Sequence, residues 1–246
     1  MYTSAEREQI RAEILDAARN DPRITGGAIT GSASQDREDA WSDIDLAFGL
    51  RAGAPLLDVV EDWTARMRDR YGALHTVDVT TGTWLYRVFL LPGTLQCDLA
   101  FAAETDFGAR APTFRLVFGR AAGTEHVKPP RADTHIGYAW LYALHVRSCL
   151  ARKKYRQAEN MLGQMRYRVL TMACLRLGLP TAEGRAFDLL PPDVTGPLDT
   201  SYVGRIEASE IARAFAIVTD ALLREAAIAD AALAERLRAP LREMSS

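Results

Sequence analysis

Cysteine is scarce in this chain of 246 residues, and the little there is forms no pattern. Cys97, Cys149 and Cys174 are odd in number and lack metal-ligand spacing, which excludes a disulfide framework and a zinc cluster; reduced, buried thiols are expected. The four histidines, His75, His126, His135 and His145, are scattered and make no metal motif; His145 falls in a helical pattern and reads as structural. Long apolar runs are missing too. No stretch approaches the roughly eighteen residues of a membrane span, and no charged-then-apolar leader opens the chain, so a soluble protein of the cytoplasm is expected. Neither sign of charge dominates: 30 Lys and Arg stand against 32 Asp and Glu, a net charge of -2. That balance, with no aromatic-rich stacking motif, argues against a nucleic-acid partner. At 48% hydrophobic residues the composition is globular, enough for one large domain or two modest ones.

What is present is more specific. Ile24 to Thr30 reads as a short strand, Gly31 ends it with a residue tolerant of unusual backbone angles, and Ser32 is placed to cap a following helical turn. Backbone N–H groups at such a turn are suited to phosphate oxygens. A polar stretch then returns the chain to a second strand, Ile44 to Phe48, introduced by Asp43-Ile44-Asp45-Leu46. Side chains alternate along a strand, so Asp43 and Asp45 share one face while Ile44 and Leu46 point into a core. Two adjacent carboxylates repel unless a cation lies between them. Magnesium characteristically uses one or two carboxylates together with substrate phosphates. The pattern therefore points to nucleotide chemistry.

A site with two metal ions, spaced roughly 4 Å apart, calls for a third carboxylate. Asp98 is the leading candidate: in Leu95-Gln96-Cys97-Asp98-Leu99-Ala100-Phe101 the apolar residues alternate with Gln96, Asp98 and Ala100, a half-buried strand with Asp98 on its less apolar face. Trp84 to Leu91 forms the preceding strand, and Pro92-Gly93 the turn between them. Asp78, in Thr76-Val77-Asp78-Val79, is the rival.

Charge is uneven along the chain. Residues 1–126 hold 13 Lys or Arg and 19 Asp or Glu, residues 127–176 hold 10 and 2, and residues 177–246 hold 7 and 11. The basic middle segment reads as two helices, about 133–153 and 155–177. Arg147 and Lys154, seven positions apart and on one side of a helix if it is continuous, are the candidates for closing over triphosphate oxygens. The competing readings are a solvated helix face and an RNA-binding stripe. Apolar residues at helical spacing, Ile136 to Leu150 and Leu162 to Leu177, read as core. Thr3-x-x-Glu6 reads as a capping box for an N-terminal helix with Ile10, Ile14, Ala17 and Ala18 as its apolar stripe. The Pro- and Gly-rich segment from Gly178 to Tyr202 reads as a long irregular connection, either a surface linker or the wall of an acceptor pocket with Asp188 and Asp193 as acidic contacts. From Ile206 to Arg238 a helix or helix pair is expected, ending near Pro240.

Gly31-Ser32, then Asp43-x-Asp45, then a later strand aspartate resembles the nucleotidyltransferase superfamily, which includes kanamycin, streptomycin and lincosamide nucleotidyltransferases and the DNA polymerase beta type core. The resemblance covers about residues 20 to 120, and no part of the motif departs from the pattern. It implies an α+β fold: a nucleotidyltransferase domain over residues 1–125, with a small mixed sheet flanked by helices, and an all-helical domain over residues 130–246 covering the active-site cleft. It further implies Gly31 and Ser32 on the nucleotide phosphates, Asp43 and Asp45 on two Mg2+ ions, and Asp98 as the remaining ligand near the acceptor hydroxyl, with Glu159 as an alternative base. The expected reaction moves AMP from ATP to a hydroxyl of a small-molecule acceptor, such as an aminoglycoside or lincosamide antibiotic, releasing pyrophosphate. AMP transfer to a protein, as in toxin-antitoxin pairs, and a non-catalytic nucleotide- or RNA-binding regulator are the alternatives. A monomer or homodimer is expected, with no membrane partner.

Overall fold

A computed structural model of the chain describes residues 2–123 and 131–246; His126 and the domain limits expected at 125 and 130 lie outside the described residues. Two compact units are formed, Met1–Val127 and Lys128–Ser246.

The first unit opens with α1 (Ser4–Arg19), whose start is set by both halves of a capping box: Thr3 Oγ1 accepts from the Glu6 N–H at 3.2 Å, and the Thr3 N–H donates to Glu6 Oε2 at 2.7 Å. There follow β1 (Ile24–Thr30), a short 3-10 turn (Ser32–Gln35), β2 (Ile44–Leu50) and α2 (Leu56–Tyr71). The chain then adds β3 (His75–Thr81), β4 (Trp84–Leu90), β5 (Gln96–Ala103) and β6 (Phe114–Gly119). The six strands make one mixed sheet in the order β3-β4-β5-β2-β1-β6. Every neighbouring pair is antiparallel except β2 with β5, which run parallel with Ile44 opposite Cys97 and Asp45 opposite Asp98.

Alternation along those two central strands determines what each face carries. Ile44, Leu46 and Phe48 of β2 join Cys97, Leu99 and Phe101 of β5 in a buried layer with Ile14, Val59, Trp63 and Met67 of the two helices. Phe48 lies with its ring centroid 5.3 Å from Trp63 and 5.6 Å from Phe101. The opposite face carries small residues, Ala28, Ala47, Ala100 and Ala102, beneath Trp84 and Phe107. Asp45 and Asp98 stand on this second face. Burying Asp45 instead would require a one-residue slip of β2 that also expels Ile44, Leu46 and Phe48, so the core enforces the register.

The helical unit consists of α3 (Ala132–Ala151), α4 (Tyr155–Arg176), α5 (Pro192–Asp199), α6 (Ala208–Ala229) and α7 (Ala231–Ser245), around a core that includes Ile136, Val146, Leu162, Val169, Phe215 and Leu222. Two expectations are corrected here. The segment from Gly178 to Tyr202 is not structureless: it holds 3-10 turns at Ala182–Gly184 and Phe187–Leu189 and the helix α5, whose first turn contains Pro192, where a fixed φ and a missing N–H cost nothing. Its anchor is Arg166, only 5% exposed, which donates to Ser201 Oγ at 2.7 Å and Ser201 O at 2.8 Å and lies 4.2 Å from the Tyr202 ring centroid. The last helices do not end near Pro240, which lies inside α7; the next residue, Leu241, is fully buried and holds the final turn in place. The break falls instead at Asp230, extended at φ -155 and ψ 95, whose carboxylate accepts from the Leu233 N–H at 2.9 Å and caps α7.

Candidate metal centre

Asp43, Asp45 and Asp98 each offer a carboxylate oxygen, and these three oxygens lie within 4.8 Å of one another. Asp45 and Asp98 face each other across the parallel β2–β5 pairing, and Asp43 immediately precedes β2, so that Ile44 separates two carboxylates on one side of the sheet. Gln96, at the start of β5 and two residues before Asp98, orients the group. Its amide nitrogen donates to Asp98 Oδ1 at 3.0 Å and Oδ2 at 3.1 Å, and reaches Asp43 Oδ2 at 3.4 Å. The field of the cluster is felt beneath the sheet: burial, and then the charges of Asp98, Asp45 and Asp43, push the Cys97 thiol well above its ordinary value. Three carboxylate oxygens gathered this closely could hold a hard divalent cation.

Gly31 is required by this arrangement. Its φ of 62 and ψ of -153 lie in a region that is essentially reserved to glycine. A Cβ there would stand 1.9 Å from Asp45 Oδ2. The turn therefore presses directly against the Asp45 carboxylate. Ser32, expected from sequence to cap the turn, does not: Gly31 holds the cap position without a side-chain bond, and Ser32 Oγ donates to Ser42 Oγ at 3.3 Å. This hydroxyl pair ties the turn to the residue preceding Asp43.

The segment between the two motif halves is clamped by α1. Arg7, 2% exposed, donates to the carbonyls of Asp39 at 2.5 Å and Ala40 at 3.2 Å. Arg11, equally buried, bonds Glu38 at 2.5 Å and Glu8 at 2.9 Å. The apolar stripe expected on α1 is thus corrected: Arg7 and Arg11 are buried beside Ile14, Leu15 and Ala18, whereas Ile10 and Ala17 are only half-buried. Two arginines one helical turn apart were the available signal, but nothing in their spacing names the backbone carbonyls they bind.

The rival carboxylate, Asp78, is occupied elsewhere. It sits opposite Arg87 on the outer pair β3–β4 and accepts a two-pronged bond at 2.7 and 2.8 Å, which holds its carboxyl below the usual range. Arg87 also donates to Glu61 and Thr64 of α2, so this network braces the sheet edge.

Arg147 and Lys154 do not share a continuous helix. Arg147 lies on α3 and pairs with Glu243 at 3.7 Å; Lys154 is exposed and caps α4, after Lys153 has broken the run with φ 55. Glu159 on α4 has a buried Oε2 without a partner among the described residues, and burial raises its pKa despite the opposing charge of Arg166. Asp188 and Asp193 are exposed. Of the histidines, His75 and His145 are exposed, the latter on the outside of α3 rather than packed, while His135 is buried and its pKa is lowered by burial and then by Arg168. No helix among the described residues is long and apolar enough to cross a membrane.

No protein-family model matches the chain, and no curated protein does. The chain resembles solved nucleotidyltransferases. An aminoglycoside 6-adenyltransferase from Bacillus subtilis is similar at 14% identity over 99% of both chains, with a TM-score of 0.40. A nucleotidyltransferase-like protein from Exiguobacterium sibiricum is similar at 12% identity over 94% of this chain and 79% of that one, also with a TM-score of 0.40. Likeness of this degree decides neither substrate nor chemistry, which are argued from the carboxylates themselves.

Proposed function

We propose that the protein is a magnesium-dependent nucleotidyltransferase that moves AMP from ATP onto a hydroxyl of a small-molecule acceptor, an aminoglycoside or lincosamide among the candidates, and releases pyrophosphate. The observation that carries this reading is the convergence of Asp43, Asp45 and Asp98 within 4.8 Å beside a glycine turn that abuts one of them. The three carboxylates would hold two Mg2+ ions, which when bound supply charge neutralisation at the phosphates and a more acidic acceptor hydroxyl. Gly31 and Ser32 bring backbone close to the donor phosphates, and Gln96 holds Asp98 in a fixed orientation. The acceptor oxygen forms its bond to the α-phosphorus as the bond to pyrophosphate breaks, and the hydroxyl proton passes to Asp98. Fixing both reactants in line supplies a large part of the acceleration in transfers of this kind.

The test is transfer of label from α-labelled ATP, with magnesium, into a pool of aminoglycosides, lincosamides and cell extract. A labelled small product, absent with Asp43→Asn and with chelator, is the expected result. Label in a macromolecule moves the acceptor to a protein. Absence of both label and Mg-ATP binding overturns the reading.

A further inference from the structure

Gln96 opens β5 on the same face as Asp98, two residues before it, and is exposed. Its side chain nonetheless has a definite place. The amide nitrogen lies 3.0 and 3.1 Å from the two oxygens of Asp98 and 3.4 Å from Asp43 Oδ2. Ionised carboxylates only accept, so chemistry fixes which end of the amide points at them: the NH2 group, which carries two donors and has no lone pair to give a cation. One nitrogen therefore spans both oxygens of one carboxylate and reaches toward a second, and these belong to two of the three residues whose oxygens lie within 4.8 Å of one another.

That position helps the carboxylates and hinders a metal. Hydrogen bonds to ionised acceptors are stronger than those between neutral groups, and the partial positive charge of the amide hydrogens offsets part of the repulsion between Asp43 and Asp98. Mg2+, however, approaches carboxylate oxygens to about 2.0–2.1 Å, well inside the amide nitrogen, so an ion on the oxygens that face Gln96 meets the positive edge of the amide. Ion and amide compete for the same lone pairs. The amide has somewhere to go: Gln96 lines a cavity of about 200 Å3 together with Tyr2, Ser42 and Thr94, and another of about 120 Å3 with Val77, Val88 and Leu90. The first offers hydroxyl groups to a displaced amide, whereas the second is apolar. We infer that Gln96 is a built-in competitor of the divalent cation: its amide bridges Asp98 and Asp43 in the cation's stead, and gives up the bridge to an incoming ion by turning toward the hydroxyl-lined cavity while holding Asp98 through one oxygen. Gln96 thereby sets the magnesium concentration at which the carboxylates load.

This inference rests on the metal reading of the carboxylates, but its test is binding and needs no turnover. Full-length protein is stripped with chelator, Mn2+ uptake is followed by loss of the free-ion EPR signal, and melting is recorded by calorimetry in chelator and in saturating Mg2+. Gln96→Leu keeps the bulk and removes the donor: the chelated protein melts below wild type, and Mn2+ binds about three- to ten-fold tighter, the equivalent of one net hydrogen bond released from competition. Gln96→Lys puts a permanent cation in the same place: the chelated protein melts at or above wild type, and Mg2+ adds no further stability. Weaker Mn2+ binding in Gln96→Leu would make Gln96 a support for the metal and overturns the inference, as does an Mn2+ affinity unchanged in both variants. Wild-type protein that takes up no Mn2+ overturns the metal reading itself; uptake abolished by Asp43→Asn yet indifferent to Gln96 leaves that reading standing and retires the inference alone.

Discussion

Gly31→Ala tests the site at its tightest point. Two penalties follow from the structure. The first is conformational: φ 62 with ψ -153 is a backbone state that costs an alanine of order 1–3 kcal/mol. The second is steric. The new methyl group would stand 1.9 Å from Asp45 Oδ2, and ordinary contact starts at 3.4 Å, so the carboxylate must retreat by about 1.5 Å. A displacement of that size at a reacting centre costs roughly a hundred-fold in rate. The expected outcome is a melting temperature lowered by about 3–10 °C, at roughly 2–4 °C per kcal/mol for a chain of this size, and a transfer rate down about a hundred-fold with weakened Mg2+ dependence. A double-mutant cycle with Asp45→Ala separates the penalties: removing the carboxylate relieves the clash but not the backbone strain, so the stability losses of the two substitutions combine to less than their sum. Scanning calorimetry and a magnesium titration of label transfer give both readouts. Wild-type activity and magnesium response in Gly31→Ala would refute the close approach of turn and carboxylate.

Asp43→Asn is expected to lower transfer by at least about a hundred-fold while leaving the metal-free melting temperature equal or higher, because one of three crowded negative charges is removed; a sharp drop in stability without magnesium would make Asp43 structural. Asp78→Asn should leave transfer unchanged and cost under about 2 kcal/mol in urea unfolding, since its partner Arg87 keeps Glu61 and Thr64 but the Asp78 side chain is 38% exposed. The same pair has a pH signature. Because Arg87 depresses the folded-state pKa of Asp78, its contribution is present in full above the unfolded carboxylate value near 3.8 and is lost as pH falls through the lower folded value, so Arg87→Met should flatten the acid limb of stability below about pH 4. Cys97, Cys149 and Cys174 are all free and buried; Ellman's reagent should find none of them in the native protein and all three after denaturation.

The strands of the first unit and the carboxylates on them were readable because alternation is a local property. Ile44, Leu46 and Phe48 against Asp45 announces a face, and Leu95 to Phe101 announces another; the choice of Asp98 over Asp78 agrees with the Arg87 bond that occupies the latter. Gln96 was legible as a face-mate of Asp98, but its bond to both Asp98 and Asp43 depends on β2 lying parallel to β5, and no local pattern states which strands pair. The helical errors have one origin. Spacing detects an amphipathic segment, and the division into helices near residue 154 was legible, but it does not detect where a single residue such as Asp230 leaves helical geometry, while Pro240 was credited with a break that its neighbour Leu241 prevents. Nothing local to Arg7 signals its burial, which comes from carbonyls of a loop more than thirty residues away.

The pairing of β2 with β5 also has a bearing on when the carboxylate cluster is assembled. Asp45 and Asp98 are brought opposite each other only after the chain has laid down α2, β3 and β4 between them and closed a loop of some fifty residues. Local turns and the β3–β4 hairpin can form early, but this closure is among the entropically costlier steps of the first unit's assembly and is expected late. Nascent or partly folded chains would therefore carry the complete motif without the assembled carboxylate cluster, so that any metal binding at this cluster would report the final stage of folding rather than aid its beginning.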